Sequence, residues 1–470
     1  MAGDNSPVEK LRNLLRDMKP DARAQLMAEL ERGMLHGQEM PGAALVLKEL
    51  RESLRAADQQ NDRISNPARL FFATLEPFLV DDSDERVYQG RIARACIEPI
   101  WAWICRDLAP AEARIYSDEA AKLLLAKDIV KAEQAAKAFQ NVVVRRFQET
   151  MSAIANDDKA LRKFAGQVGT PHGLEDANQV VAILKLREPL SLIGSRLPLR
   201  IANLADDQLD ATQALIDSLT AKQPQLFIYA MIMVMSRLLA PWQLIRLATK
   251  AVESDLAARI QGSPYAAAVV IVLGEVERFV RQLKNDLKRG RMIETISLLK
   301  DIHDAARGLR TEVNLSIDSP WSRQLSAARA EISDVLKSAI ESVPGRVRRL
   351  LRPRPAKEIA PGSMLSLDDV AETEALIEFV GACRNFAGEL AISEMTLRTY
   401  SELHNYLETS TNALVEGLRN AGASDRDFRQ SQVDAAVRFC GKVFGADYAA
   451  TLAKAAEVAG HSERKAAAKA

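Results

Sequence analysis

The most constraining feature of this sequence is a strongly apolar stretch near its middle, at residues 223–287. It contains the two most apolar segments of the chain, at 226–235 and 265–273. A helix that is apolar on all sides is buried either in a large protein core or in a membrane, and the length of the run distinguishes the two. The first segment has ten apolar residues and is followed by Ser236 and Arg237, whereas a membrane span needs roughly 20. The stretch therefore predicts the central helices of a soluble core.

Length and charge set the next limits. The chain has 470 residues, which exceeds the roughly 250 to 300 at which a single hydrophobic core usually stops growing. Two or more domains are therefore expected. The 63 Lys and Arg residues balance the 63 Asp and Glu residues, so no overall charge draws the protein to nucleic acid or to an anionic membrane. Any such affinity must come from local clusters.

The cysteines and the first residues predict a cellular location. Cys96, Cys105, Cys383 and Cys440 have no C-x-x-C spacing, and each lies among apolar neighbours. They are interpreted as reduced thiols that fill the core. Residues 1–6 lack the basic and apolar regions of a signal peptide. We therefore expect a cytoplasmic protein.

Helical periodicity and helix-start signals recur along the chain. Serine followed by proline, a pair that suits the first residues of a helix, occurs at Ser6, Ser263 and Ser319. Residues 117–155 are predicted to form one long helix, and the helix after Ser263 is predicted to continue past Gly290 as a rod, with a bend at Gly290 as the alternative. No segment combines alternation of period two with β-branched residues between turns. The predicted fold class is all-α, as an elongated, coiled-coil-like bundle of long amphipathic helices.

Composition also predicts the domain organisation. A helix is expected to end at Pro344, and the residues that follow combine prolines with basic residues, which is typical of a linker. The predicted order is a large helical region at 1–345, a linker at 346–365, a four-helix bundle at 366–460 and a disordered tail at 461–470. The glycine-rich residues 156–175 offer a further subdivision of the first region. We expect trypsin to cut first in the linker.

Motifs of common catalytic sites are missing from the sequence. It has no Gly-x-Gly pair, so the glycine motif of dinucleotide-binding sites is absent from the sequence. It also has no Gly-x-Ser-x-Gly nucleophile motif. Gly441 and Lys442 lack the other residues of a P-loop. The acidic run at 81–85 lacks the glycine and the distal glutamate of an EF-hand, so we interpret it as helix capping. No catalytic residue, cofactor or metal site is predicted.

Two histidines have acidic neighbours. His303 lies between Asp301 and Asp304, and Glu408 lies one helical turn after His404. Such pairs can raise an imidazole pKa or bind a metal weakly, and they also occur as ordinary surface pairs. We adopt the surface interpretation. A cleft that gathers either histidine with several acids would instead favour an enzyme.

The first of two basic clusters follows the second apolar segment. Its members are Arg278, Arg281, Lys284, Lys288, Arg289 and Arg291. The first four recur at steps of three, three and four, so they share an arc of about 120° on one helix face. Lys284 and Lys288 lack acidic neighbours at helical spacing and repel each other by roughly 0.2 to 0.5 kcal/mol. The cluster suits an acidic partner, which in the alternative interpretation is another helix of this protein or simply water.

The second basic cluster coincides with the predicted linker. Its members are Arg346, Arg348, Arg349, Arg352, Arg354 and Lys357. Flexible cations beside prolines can bind the phosphate groups of lipid or nucleic acid. No aromatic side chains are interleaved with these charges, which disfavours single-stranded nucleic acid. The alternative interpretation is a solvated interdomain linker.

Three classes of function remain open. The leading hypothesis is a non-enzymatic helical scaffold or adaptor that acts through protein–protein contacts, because a large core is clearly specified while no catalytic constellation is. The second is a peripheral anion-binding protein that uses the two basic clusters, with weak contact to an anionic membrane favoured over nucleic acid. The third is an enzyme whose site is assembled from distant residues. The protein partners are not identified by the sequence, which is also compatible with oligomerisation.

Overall fold

The computed structural model describes residues 14–15, 17–35, 46–47, 50, 66–80, 89–170, 172–288 and 292–467. The structure is 80% helical with 2% strand, which confirms the all-α class. Two short parallel strands, β1 (Leu79–Val80) and β2 (Ile92–Ala93), pair with Leu79 opposite Ile92. The predicted helix start at Ser6 and the acidic run at 81–85 lie outside the described residues.

The chain divides into two compact units, Met1–Arg196 and Leu197–Ala470. The first unit contains the helices α1 (Pro20–Leu35), α2 (Pro67–Phe71), α3 (Ile97–Trp103), α4 (Pro110–Leu125), α5 (Ile129–Ile154), α6 (Asp158–Val168), α7 (Gly173–Lys185) and α8 (Arg187–Arg196). Aromatic rings fill part of its core: the ring of Phe139 lies 5.3 Å from that of Phe71 and 4.9 Å from that of Tyr116. Helices α6 and α7 occupy much of 156–175, the glycine-rich segment that the sequence offers as a further subdivision.

The prediction of one long helix at 117–155 is wrong. Helices α4 and α5 form an antiparallel hairpin, in which Arg146 near the end of α5 pairs with Glu112 at the start of α4 at 2.9 Å. The apolar faces of both helices are buried, with Tyr116 and Phe139 among the buried side chains. Folding back buries these two faces against each other, whereas a single straight helix would expose part of them.

The turn between α4 and α5 is a Schellman motif built without glycine. The amide of Asp128 donates to the carbonyl of Leu123 at 2.9 Å, and the amide of Lys127 donates to that of Leu124 at 3.1 Å. Lys127 has a φ of 58°, a left-handed conformation that costs a non-glycine residue roughly 1 to 2 kcal/mol. Asp128 then caps α5, because its carboxylate accepts from the amide of Lys131 at 3.2 Å. The hairpin is thus fixed at both helix ends.

The second unit contains the remaining helices. They are α9 (Asp206–Thr220), α10 (Phe227–Met235), α11 (Ile245–Val252), α12 (Ala257–Gln261), α13 (Ala266–Lys288), α14 (Met292–Glu312), α15 (Pro320–Leu351), α16 (Leu367–Phe386), α17 (Ser393–Arg419), α18 (Arg426–Val443) and α19 (Ala446–Ala467). One hydrophobic core runs from α13 through α19. The four C-terminal helices therefore share their core with helices that precede the predicted linker. Helix α19 also includes 461–467, where a disordered tail was expected, while 468–470 lie outside the described residues.

The apolar stretch at the middle of the chain is buried, as the sequence indicates. Every residue from Tyr229 to Met235 in α10 is buried, and Val269, Val272 and Val276 line the buried face of α13. Among the described residues, no helix is long and apolar enough to cross a membrane.

The rod predicted to continue past Gly290 is also wrong. Helix α13 ends at Lys288, α14 begins at Met292, and the two pack side by side. Their apolar faces, which share one period in the sequence, bury each other.

The two serine-proline helix-start signals in the described residues differ in outcome. Ser319 caps α15 by accepting from the amide of Ser322 at 3.0 Å, whereas the Ser263 hydroxyl donates to the preceding turn and does not cap α13.

Helix α15 continues through Pro344, where the sequence predicts its end. Proline inside a helix removes one hydrogen bond and costs about 3 kcal/mol. In this helix Val343, Val347 and Leu351 are fully buried on both sides of the proline. Because each buried aliphatic side chain contributes about 1.5 to 3 kcal/mol, the burial of the last two turns outweighs the cost. Because α15 extends to Leu351, residues 346–351 are helical and do not form part of a linker.

Candidate functional site

The first basic cluster is not one continuous cationic surface. The guanidinium of Arg278 donates to the Glu275 carboxylate at 2.8 and 3.1 Å. Glu275 is 3% exposed, so this pair lies inside the bundle. Arg281 is half-buried. Of the other members, Lys284 and Lys288 are exposed, and Arg289 and Arg291 lie outside the described residues.

Two members of the second basic cluster are paired with acids on other helices. Arg346 lies 2.6 Å from Glu372 of α16, and Arg348 lies 2.5 Å from Glu402 of α17. These ion pairs connect the end of α15 to α16 and α17. Four members are exposed and have no acidic partner at ion-pair distance among the described residues. They are Arg349, Arg352, Arg354 and Lys357.

The chain between α15 and α16, residues 352–366, forms a segment that we call the strap. It begins and ends on one turn of α18. The Gln432 amide donates to the carbonyls of Leu350 at 2.8 Å and Arg352 at 3.0 Å. At the other end, the amide of Leu365 donates to the Ser431 hydroxyl at 3.0 Å. Because Ser431 and Gln432 are consecutive residues, the two ends of the strap lie close together.

Side chains also hold the strap in place. Ile359 and Leu365 are buried in the core of the second unit. The guanidinium of Arg354 lies over the Phe428 ring, 5.0 Å from its centroid, a favourable cation–π contact. The strap is thus fixed at four points on α18 and the core, unlike the flexible linker that its composition predicts.

The first residues of the strap have an extended conformation. Arg352 has φ −60° and ψ 125°, and Pro355 has φ −59° and ψ 144°. Both pairs of angles belong to the polyproline II region. Residues 352–358 are exposed throughout, and Met364 and Leu367 are exposed apolar side chains at the other end. The strap and the first residue of α16 therefore display cations, prolines and two apolar side chains on a backbone that is held in place.

The histidines lie in small local groups. The Nδ1 atom of His303 is 3.1 Å from Oδ1 of Asp304, whose other oxygen accepts from Lys300 at 2.7 Å. His404 lies 3.7 Å from Glu408 on the same helix. Neither is gathered with several acids from other elements. In the described part of the chain, no group of three or more His, Cys, Asp or Glu side chains is placed to hold a metal ion.

The cysteines that the structure buries are poor nucleophiles. Burial raises the pKa of the Cys96 thiol to about 12, with the nearby carboxylate of Asp176 adding to the effect. Burial likewise raises the pKa of Cys440 to about 12. A thiol reacts as its thiolate, which is scarce at neutral pH when the pKa is so high. Cys96, Cys383 and Cys440 are buried, as the sequence suggests, whereas Cys105 is half-buried.

Comparisons of the chain with protein-family models, with curated proteins and with solved structures give no match.

Sequence reasoning identified the strap cations but missed what holds them. Gln432 and Ser431 follow the strap by more than 60 residues, and a single sequence carries no signal that pairs them with it. A second surface was also missed. Leu125, Ile129 and Val130 are exposed at the turn between α4 and α5, and the capping residue Asp128 is the signal that could have shown this turn.

Replacing Gln432 with methionine is expected to lower the free energy of unfolding by about 1 to 3 kcal/mol, because the carbonyls of Leu350 and Arg352 lose their buried donor. The strap should then open to trypsin at Lys357. In the wild type, Lys357 should resist, since the strap is held, and Arg352 and Arg354 precede prolines, where trypsin does not cut. Limited digestion followed by mass spectrometry measures both effects.

The matched control is Gln430→Met on the same helix. The Gln430 amide is exposed and donates to Asp434 one turn away, so its loss should leave the strap protected. In the wild type and in Gln430→Met, the first cut is expected after Arg196 or Arg200, two exposed residues at or near the boundary between the two compact units. Equal cleavage at Lys357 in the wild type and Gln432→Met would show that Gln432 does not hold the strap.

Proposed function

We propose that the protein is a non-enzymatic helical scaffold that binds partner proteins, and that the strap is one of its binding surfaces. The observation that carries this proposal is the strap itself: a basic segment that is extended at Arg352 and Pro355, forms a short 3-10 helix at Ala356–Glu358 and is fixed to a helix while its charged side chains face solvent. A segment that is already fixed loses little conformational entropy when it binds. A cytoplasmic location is part of the same proposal.

The chemistry of the strap favours one kind of partner surface. Polyproline II segments bind in grooves lined by aromatic side chains, which pack against the proline rings. Arg352 and Lys357 would face acidic residues at the rim of such a groove. Met364 and Leu367 add apolar area close to the other end of the strap. The expected partner is a protein with an aromatic groove and an acidic rim.

A polyanion is the second candidate ligand, because four cations of the second cluster lack an acidic partner among the described residues. Three exposed carboxylates on or beside the strap oppose it: Glu358, Asp368 and Asp369. They reduce the local positive potential that would draw in phosphate groups. A folded partner can place its acids opposite individual cations, so the mixed charges disfavour a polyanion more than a protein.

Affinity purification with a charge-reversed strap tests the proposal. This strap variant carries Arg352→Glu and Lys357→Glu in the strap and Arg349→Glu at the adjoining end of α15. It leaves Arg354 in place because that side chain packs on Phe428. The matched control carries Arg323→Glu, Lys337→Glu and Lys454→Glu, three exposed cations outside the strap. Both variants change the net charge equally and should fold like the wild type, because exposed charges contribute little to stability.

We expect a partner that the wild type and the control recover equally and that the strap variant recovers at least tenfold less. The purified partner should then bind the purified wild type directly. If every recovered protein is also retained by the strap variant, the strap is not a binding surface. Recovery of nucleic acid in place of a protein would favour the polyanion.

A further inference from the structure

We propose that the turn between α4 and α5 binds the surface of an anionic lipid bilayer. This site, residues 122–131, is called the hairpin tip. It belongs to the first compact unit, carries different residues from the strap and takes a different class of ligand. The inference therefore goes beyond the scaffold function and does not depend on it.

The hairpin tip exposes three aliphatic side chains within six residues. Leu125 is 45% exposed, Ile129 is 47% exposed and Val130 is 67% exposed. Single apolar residues on a surface are ordinary, but a group of them marks a contact site. Because α4 ends at Leu125 and α5 begins at Ile129, the three side chains lie together at the end of a helical hairpin.

Cations surround these aliphatic side chains. Lys122, Lys127 and Lys131 are exposed, and Asp128 is the one acid between 122 and 131 in the sequence. Asp128 pairs with Lys131 at 2.8 Å, so Lys122 and Lys127 provide a net positive charge of two at the tip. Lysine side chains can keep their ammonium groups among lipid headgroups while apolar neighbours enter the acyl region.

The composition of the tip favours a bilayer over a protein groove. Contacts that dominate protein interfaces are rich in tryptophan, tyrosine and arginine, and lysine is depleted there. The tip contains none of the three enriched residue types and has three lysines. Aliphatic side chains with lysines instead suit the boundary between acyl chains and anionic headgroups, where charge and apolar burial act together.

The backbone of the tip supports a functional role. Lys127 occupies a left-handed conformation that glycine adopts without strain. Strained backbone positions cluster at binding sites in many proteins. Glycine at this position would relieve the strain but remove one of the two unpaired cations.

Cosedimentation of the full chain with vesicles tests the inference. Vesicles of phosphatidylcholine mixed with phosphatidylserine should bind the protein, and those of phosphatidylcholine alone should bind it at least tenfold more weakly. Reversing Lys122 and Lys127 to glutamate should weaken binding by roughly 25-fold or more, at about fivefold for each lost lysine charge. Rising salt should weaken it as well, because the attraction of exposed charges is screened.

Serine at Leu125, Ile129 and Val130 should also abolish measurable binding. The matched control is Ile115→Ser, which removes an equally exposed aliphatic side chain, 67% exposed, from the same helix at roughly 15 Å from the tip. The control and the charge-reversed strap variant should bind like the wild type. A gain-of-function variant, Val130→Trp, should bind several-fold more tightly, which keeps the test informative if the serine variants fold poorly.

The inference is overturned if the wild type does not bind phosphatidylserine vesicles, or if the tip serine variant binds them as well as the wild type does. Loss of binding in the strap variant with retention in the tip variant would move the lipid contact to the strap. If the chain does not bind vesicles and a partner protein cross-links to residue 130, the tip is a protein-binding site.

Discussion

Alanine at position 173 is expected to destabilise the first compact unit by about 3 kcal/mol, the upper part of the range for an overpacked core. Gly173 is the first residue of α7 and lies against the backbone of α6. A Cβ atom at this position would lie 2.2 Å from the carbonyl oxygen of Ala165 and 2.9 Å from its carbonyl carbon. Backbone atoms in a helix cannot move aside as a side chain can, so the two helices would have to separate.

The matched control is Gly166→Ala, one residue after Ala165 on α6. A Cβ at position 166 has no heavy atom within 4 Å, and alanine is favoured over glycine inside a helix by roughly 0.5 to 1 kcal/mol. The glycine-to-alanine substitution should therefore lower the stability of the unit at position 173 and raise it at position 166. Urea denaturation monitored by ¹⁹F resonances of 5-fluorotryptophan measures this, because Trp101 and Trp103 report on the first unit. A neutral Gly173→Ala variant would show that α6 and α7 do not cross this closely.

The second large effect is expected at Gly308, where α14 packs against the indole of Trp242. A Cβ at position 308 would lie 2.4 Å from Cδ2 of Trp242 and 2.6 Å from its Cγ and Cε3. Gly308→Ala should destabilise the second unit by about 2 kcal/mol, since the ring has to shift out of its place against the core. The resonances of Trp242 and Trp321, both in the second unit, follow its unfolding.

A double-mutant cycle isolates the contact. The cost of Gly308→Ala should fall when Trp242 is replaced by leucine, because the clash is with the indole ring. Gly345→Ala is the control in the same unit: its Cβ has no heavy atom within 4 Å, and it lies in α15, where alanine should stabilise slightly. An unchanged cost of Gly308→Ala in the Trp242→Leu background would place the origin of the effect elsewhere.

The fold class could be predicted from the sequence because its signals are local. The apolar period and the serine cap at Ser319 act within a few turns of helix, and both have the predicted outcome. Helix ends were harder to predict. The breaks near Lys127 and between α13 and α14 interrupt an apolar period that continues across them. Pro344 gives a stop signal that burial of the last helical turns overrides.

The candidate site depends on contacts between residues that are distant in the sequence. The sequence shows Arg346 and Arg348 as members of a cluster of six cations, but Glu372 and Glu402, which pair with them, lie 26 and 54 residues further on. Composition also suggests that a proline-containing basic segment is flexible. Its fixation by Gln432 results from packing of α15 against α18, which a periodic pattern on either helix does not specify.

The most direct test of the scaffold proposal is calorimetric titration of the partner recovered by affinity purification. The titrants are the full chain, the Gln432→Met variant and a synthetic peptide of residues 349–366. If the fold presents the strap in one fixed conformation, the full chain should bind at least tenfold more tightly than the peptide, because the peptide must be ordered on binding. The Gln432→Met variant should lie between them. Equal affinity of the peptide and the full chain would contradict presentation of the strap by the helical bundle, and no binding by either would contradict its role as a binding surface.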